Sequence, residues 1–142
     1  EYVIRDLVVA EKVSEVAAIK EIRDFAVSQQ RRMGDKKSIV MDGRDIGTVV
    51  FPNAALKIFM TADHKVRIKR RFKEMHEKNP NVTIEEVRHN LETRDYIDSH
   101  RAASPLRQAE DAVVLDNTNL TIEEQLNIAL QWVKEIKMLK SK

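Results

Sequence analysis

Cysteine is absent from the 142 residues, glycine and proline occur three times each, and aromatic side chains make up only 5%. Without cysteine there are no disulfides, no thiolate nucleophile and no zinc site built on sulfur, and a reducing compartment is allowed. The glycines are Gly34, Gly43 and Gly47. None is followed by Lys and none has the G-x-x-x-x-G-K-[ST] spacing, so that phosphate-cradling loop is not encoded here. Long apolar runs are missing too. No segment approaches the roughly 18 to 20 apolar residues of a membrane span, and Glu1 to Arg5 lacks the charged-then-apolar order of a secretory signal, so a soluble, cytoplasmic protein without a membrane partner is expected. Charge of one sign is not in excess. The 25 basic and 23 acidic side chains leave a formal +2, and a strongly cationic nucleic-acid clamp does not follow from that balance. The chain opens on Glu rather than Met and runs directly into a patterned segment, which suggests a piece of a longer protein.

Hydrophobic residues make up 42%, enough for a core, and the length suits one domain over 1–142, or a large piece of one. Apolar positions from Val8 to Val27 fall at mixed spacings of three and four, which predicts one or two amphipathic helices ending near Gly34. Ser38–Asp42 reads as a short buried strand stopped by a carboxylate and a glycine, Gly47–Pro52 as a loop, and Ala55–Ala62 as a second strand. Asp63 can cap a helix running to about Lys78, which Asn79-Pro80-Asn81 breaks. Thr83 with Glu86 is a capping-box signature for a helix to about Ser99, and Thr121 with Glu124 is a second, for a helix to about Leu139. Between these helices, Ala112–Asp116 reads as a third buried strand. Short apolar strands alternating with long helices predict an α/β fold with a parallel sheet between layers of helices; three strands are few, so further strands are expected upstream of Glu1.

Ligands of such sheets gather at the carboxyl ends of strands, where Asp42-Gly43-Arg44-Asp45-Ile46-Gly47-Thr48 lies. Two acids, an Arg and two flexible glycines suit a loop that grips a phosphate with Arg and a base or sugar donor with Asp. A glycine-rich turn with surface charges is the alternative. Arg94, Asp98 and Arg101, at spacings of four and three, share one helical face. An ion pair of Arg94 with Asp98 would be worth only roughly 0.3 to 0.5 kcal/mol and leaves Arg101 and Asp95 unexplained. Two guanidiniums around a carboxylate make a donor-rich site for hydroxyls, carbonyls and phosphate oxygens. The helix from Lys65 to Lys73 carries six cations. It is open to three readings: a solvated face, a lid over a polyphosphate, or a contact to a nucleic-acid backbone. Near-zero net charge and a lone aromatic, Phe72, weigh against the last. His64, His76, His89 and His100 form no H-x-x-x-H pair and read as surface residues, while Trp132, Phe25 and Phe59 read as core.

Five collinear segments carry a family resemblance: Val13-Ser14-Glu15-Val16-Ala17-Ala18, Asp42 through Val50, Arg94-Asp95 through Asp98 to Arg101, Ser104-Pro105-Leu106, and Val114-Leu115-Asp116. Together they resemble the bacterial cytidylate kinases over nearly the whole chain. The resemblance implies a P-loop nucleoside monophosphate kinase fold, incomplete at its N-terminus, and phosphoryl transfer from ATP with Mg²⁺ to CMP or dCMP. Carried over by position, it implies Arg44 as a ligand of the acceptor phosphate; Ser14, Arg23, Asp45 and Arg101 as the cytosine-reading set; and Arg94 with Asp98 as pentose contacts. Arg70 and Arg71 match a lid region, within 63–99, that helps to hold donor phosphates, giving a catalytic set of Arg44, Arg70 and Arg71. Asp42, from its place at a strand end, is a candidate for orienting Mg²⁺ through water. A carboxylate such as Asp45 accepts from cytosine's amine, and uracil reverses the donor at that position. The family's phosphate-binding loop would lie upstream of Glu1, so these residues alone are expected to be inactive. Another P-loop monophosphate kinase, and a nucleic-acid-binding module using helix 65–73, are the alternatives.

Overall fold

The computed structural model describes residues 7–35 and 38–140, so the reading of Glu1 to Arg5 lies outside the described residues. The elements in order are α1 (Leu7–Ala18), α2 (Lys20–Gly34), a π-helical turn (Ile46–Val50), β1 (Ile58–Thr61), α3 (His64–His76), α4 (Ile84–His100), β2 (Val113–Asp116) and α5 (Ile122–Lys140). The main packing pairs are α1 with α2 and α4, α3 with α4, α2 with the π-helical turn, and β1 with β2. The patterned segment from Val8 thus becomes two helices, because Ile19 takes an extended conformation and starts a new helix. That break lets α1 lie on α4 while α2 lies along the turn.

Local signals account for the helix starts. Asp63 accepts from the backbone N–H groups of Lys65 and Val66, at 2.9 and 3.2 Å, satisfying two donors that the first turn of α3 leaves open. Both capping boxes form: Glu86 N–H donates to Thr83 Oγ1 while Glu86 Oε2 accepts from Thr83 N–H, and Thr121 with Glu124 repeats the pattern. These contacts hold the carboxyls of Glu86 and Glu124 below the usual range. Behind the caps, Met75, Val82 and Val87 form a small core, with Phe72 packed against it.

The sheet departs from the expectation of three buried strands. Among the described residues it has two, parallel, with Ile58 opposite Val113 and Thr61 opposite Asp116. The second strand is also shorter than Ala55–Ala62. Residues 38–42 form no strand among the described residues, and Val40 is fully exposed. A strand is defined by its neighbour, and an apolar run alone supplies none. Burial fails for the same reason: Met60, Val113 and Val114 stay exposed, and in β2 only Leu115 is buried. Phe25, read as core, is 66% exposed on α2. Trp132 and Phe59 are half-buried, and the four histidines are exposed as expected. No helix among the described residues is long and apolar enough to cross a membrane.

Candidate functional site

The segment expected to be a loop after Gly47 instead forms the π-helical turn. The Asp45 carbonyl accepts from Thr48, Val49 and Val50, and the Phe51 N–H closes on the Ile46 carbonyl at 2.7 Å. Such wide turns leave carbonyls without regular partners and often occur at functional sites. Here α2 supplies the partners: Arg31 donates from Nη2 to the Val49 carbonyl at 2.6 Å and from Nε to the Val50 carbonyl at 3.2 Å. Two turns earlier on α2, Arg23 grips Asp45 with a fork, Nε to Oδ2 at 3.0 Å and Nη2 to Oδ1. The helix therefore holds the turn at both ends. The glycines serve close approach rather than unusual backbone angles, since none has positive φ. A Cβ on Gly43 would stand 2.8 Å from Ile46 Cγ1, and one on Gly34 2.7 Å from the Phe51 ring. Replacing Arg31 with Met is expected to raise amide hydrogen exchange at residues 48–51 at least several-fold and leave α5 unchanged, as read by mass spectrometry.

A cavity of about 200 Å³ opens between α1, α2, the segment 43–46 and the C-terminal part of α4. It brings together Ser14, Arg23, Arg44, Asp45, Arg94, Asp98 and Arg101, with Gln30 and a few apolar residues. Ser14, Asp45, Asp98 and Arg101 are buried, at 2, 1, 3 and 8% exposure. Charges taken this far from water need partners, and the pairing differs from the one expected along α4. Asp98 pairs not with Arg94 but with Arg44 Nε at 3.3 Å and Arg101 Nη1 at 3.4 Å. The two guanidiniums around a carboxylate thus come partly from the 43–46 segment, which sequence spacing on one helix does not reveal. Asp95, unexplained by spacing, bridges Arg44 at 3.2 Å and Arg67 of α3 at 2.7 Å.

The end of α4 is shaped for this purpose. Arg101 Nε donates to the Ser104 carbonyl at 2.8 Å, and Leu106 N–H donates to the Asp98 carbonyl at 2.7 Å, fixing the turn that follows α4. Ser104 sits at φ 51°, a left-handed conformation that an L-residue adopts at a cost of about 1–2 kcal/mol. The Arg101 contact is one of those that hold it there.

Three buried side-chain polar atoms among the described residues have no hydrogen-bond partner: Arg94 Nε, Arg101 Nη2 and Gln30 Oε1. All three belong to residues lining this cavity. Burial, and then the positive charge of Arg44, lower the pKa of Arg94; burial lowers that of Arg101 against the opposing pull of Asp98. Four guanidiniums face two carboxylates around the cavity, a local excess of positive charge in a chain that is nearly neutral.

Arg70, Arg71 and Asp42 do not line it. Arg70 donates to Asn117 Oδ1 at 2.8 Å and to the carbonyls of Asn117, Thr118 and Leu120, fastening α3 to the loop after β2. Arg71 pairs with Glu74 at 2.8 Å. Asp42 is exposed, and no cluster of three His, Asp or Glu suited to a metal exists among the described residues. Sequence spacing gave no prominence to Gln30 or Arg31, although Gln30 stands seven residues after Arg23, an offset that returns to the same helix face.

A buried site with surplus guanidiniums and unpartnered donors is suited to a small anionic ligand that carries ring or sugar acceptors. The chain belongs to the cytidylate kinase family, whose family model matches residues 1–135. A cytidylate kinase of Flavobacterium psychrophilum is 53% identical over 133 residues, covering 94% of this chain and 59% of the relative. One of Bacteroides thetaiotaomicron is 51% identical over 132 residues, 93% of this chain and 56% of the relative. One of Parabacteroides distasonis is 57% identical over 122 residues, 86% and 53% respectively. The chain thus spans less than two thirds of the length of these relatives.

Proposed function

We propose that this chain forms the acceptor-nucleotide part of a phosphotransferase that moves the γ-phosphoryl group of ATP to CMP or dCMP, giving CDP or dCDP in cytoplasmic pyrimidine nucleotide metabolism. The observation that carries the reading is the charge of the cavity. Four guanidiniums against two carboxylates leave an excess of two positive charges, and a phosphate monoester brings about 1.5 to 2 negative charges. Family membership and the named relatives support the same ligand class.

In this reading Arg44 takes the acceptor phosphate. Its guanidinium is already oriented by Asp95 and Asp98, so little ordering remains when the phosphate arrives. Arg94, whose Nε lacks a partner, and Asp98 serve the pentose. Ser14, Arg23, Asp45 and Arg101 surround the base. Catalysis in such a transfer is mainly positioning and charge stabilisation, and Arg44 contributes both at the acceptor.

The donor side draws on less of this chain. The sequence carries no Walker-type glycine loop, and the described residues include no acidic cluster that fits Mg²⁺, so no step is assigned to the metal through Asp42. The longer relatives lead us to assign donor binding, the metal anchor and the remaining strands of a three-layer P-loop kinase to residues beyond these 142. The region 63–99, with α3 and most of α4, would act as the lid, with Arg70 and Arg71 turning to the donor phosphates. The protein is read as a monomer. The nucleic-acid alternative loses ground because Arg67, Arg70 and Arg71 of the basic helix are engaged within the chain, leaving mainly its lysines for solvent.

The test is a coupled assay with ATP, Mg²⁺ and CMP, UMP, AMP or GMP, using this chain joined behind the amino-terminal segment of the Flavobacterium psychrophilum relative. Cytidine nucleotides should be phosphorylated first, and the 142 residues alone should form no CDP. Preference for another monophosphate would overturn the base assignment; CDP made by the chain alone would overturn its assignment as the acceptor part only.

A further inference from the structure

We infer that Arg67 of α3 is a positioning residue for this site: it shares the Asp95 carboxylate with Arg44, and so leaves the Arg44 guanidinium available to the phosphate of a bound nucleotide. The inference rests on the proposed role of Arg44. Arg67 does not line the cavity, and its route to the site runs through Asp95. The two oxygens of Asp95 face two different elements. Oδ2 meets Arg67 Nη2 at 2.7 Å, and Oδ1 accepts from Arg44 Nη1 at 3.2 Å. The side chains of Arg67, Asp95 and Arg44 are 34, 25 and 33% exposed, so water and salt screen these charges less than those of a fully exposed pair. The other two arginines of α3 are turned elsewhere, Arg71 to Glu74 on the same helix and Arg70 to the loop after β2.

Charge balance gives this pairing its consequence. An anion held by Arg44 also lies near Asp95 and Asp98, and both carboxylates repel it. Each acid, however, has a second cation: Asp98 has Arg101, and Asp95 has Arg67. Arg44 therefore neutralises neither acid by itself and keeps part of its charge for a ligand. Without Arg67, the Asp95 charge would fall on Arg44, drawing the guanidinium toward that carboxylate and leaving an incoming phosphate to face an acid that is less well compensated. A phosphate monoester brings about 1.5 to 2 negative charges and a bare nucleoside none, so the effect belongs to the phosphorylated ligand.

The experiment is calorimetric titration of CMP and of cytidine into the wild-type chain, Arg67→Met, Arg67→Lys, Asp95→Asn and the double variant Arg67→Met with Asp95→Asn, with circular dichroism melts to verify the fold. Arg67→Met should lower CMP affinity about tenfold, the scale of one partly screened charge, and leave cytidine affinity within about twofold. Arg67→Lys should recover most of the loss, because Asp95 is met by a single nitrogen of Arg67 and a point charge can take its place. In the Asp95→Asn background the charge that Arg67 balances is gone, so Arg67→Met should then cost little. A staple between α3 and α4 with no effect on Arg44 would lower the melting temperature and leave the CMP to cytidine ratio unchanged. That unchanged ratio, or an equal loss of CMP affinity in both backgrounds, would overturn the assignment while leaving the phosphate role of Arg44 intact. Wild-type chain that binds CMP no tighter than cytidine would overturn that role and this inference with it.

Discussion

Replacing Asp45 with alanine is expected to destabilise the chain by about 3–5 kcal/mol, the loss typical of a buried ion pair stripped of one partner. Asp45 is 1% exposed, and the side chain of Arg23 is 12% exposed. Removing the carboxylate leaves the Arg23 guanidinium facing Arg44 and Arg101 with one compensating acid fewer. It also removes the Arg23 fork that ties α2 to the start of the π-helical turn. The midpoint of urea unfolding reads the effect directly, and Asp45→Asn, which keeps the shape and an oxygen acceptor, should lose less. In the double substitution Asp45→Ala with Arg23→Met, part of the stability should return, because no unpaired charge remains buried. Equal losses in the single and double variants would mean that the pair does not act as a unit. Cytosine selection should fall in both, since either change dismantles the base side of the cavity.

Arg44→Ala is expected to lower affinity for CMP on the order of a hundredfold while changing affinity for cytidine, which has no phosphate, by only a few-fold. The contrast between ligands separates a phosphate contact from general damage to the site. Damage is a fair concern, because Asp98 loses one of its two guanidinium partners and Asp95 is left with Arg67. Arg44→Lys should restore little. A lysine carries the charge but not the planar fork that meets Asp95 and Asp98 along two directions while facing a phosphate. Parallel losses for CMP and cytidine would remove Arg44 from the phosphate role.

What the sequence made legible was local chemistry. Asp63, Thr83 with Glu86 and Thr121 with Glu124 act on N–H groups two or three residues away, so their caps follow from spacing and the helices start within a residue of expectation. The shared face of Arg94, Asp98 and Arg101 follows from helical period, and all three line the cavity. Choices made through space were not legible. Asp98 selects Arg44 over Arg94, its neighbour one turn away, because the 43–46 segment is brought against α4. Residues 38–42 have the composition of a strand but no paired neighbour among the described residues. The π-helical turn has no composition that marks it; it depends on Arg31 of α2 to take up its carbonyls. Gln30 went unnoticed because a glutamine on a helix is ordinary until its oxygen is found buried and unpaired. The collinear motifs that pointed to the family needed none of this, and the family match over residues 1–135 agrees with them.

The most direct test of the central claim is isothermal titration of the 142-residue chain with CMP, set against cytidine and UMP. One site per chain is expected, tighter for CMP than for either comparison ligand, with affinity that weakens as salt screens the cationic cavity. Binding of CMP no tighter than cytidine, or no binding at all, would contradict it.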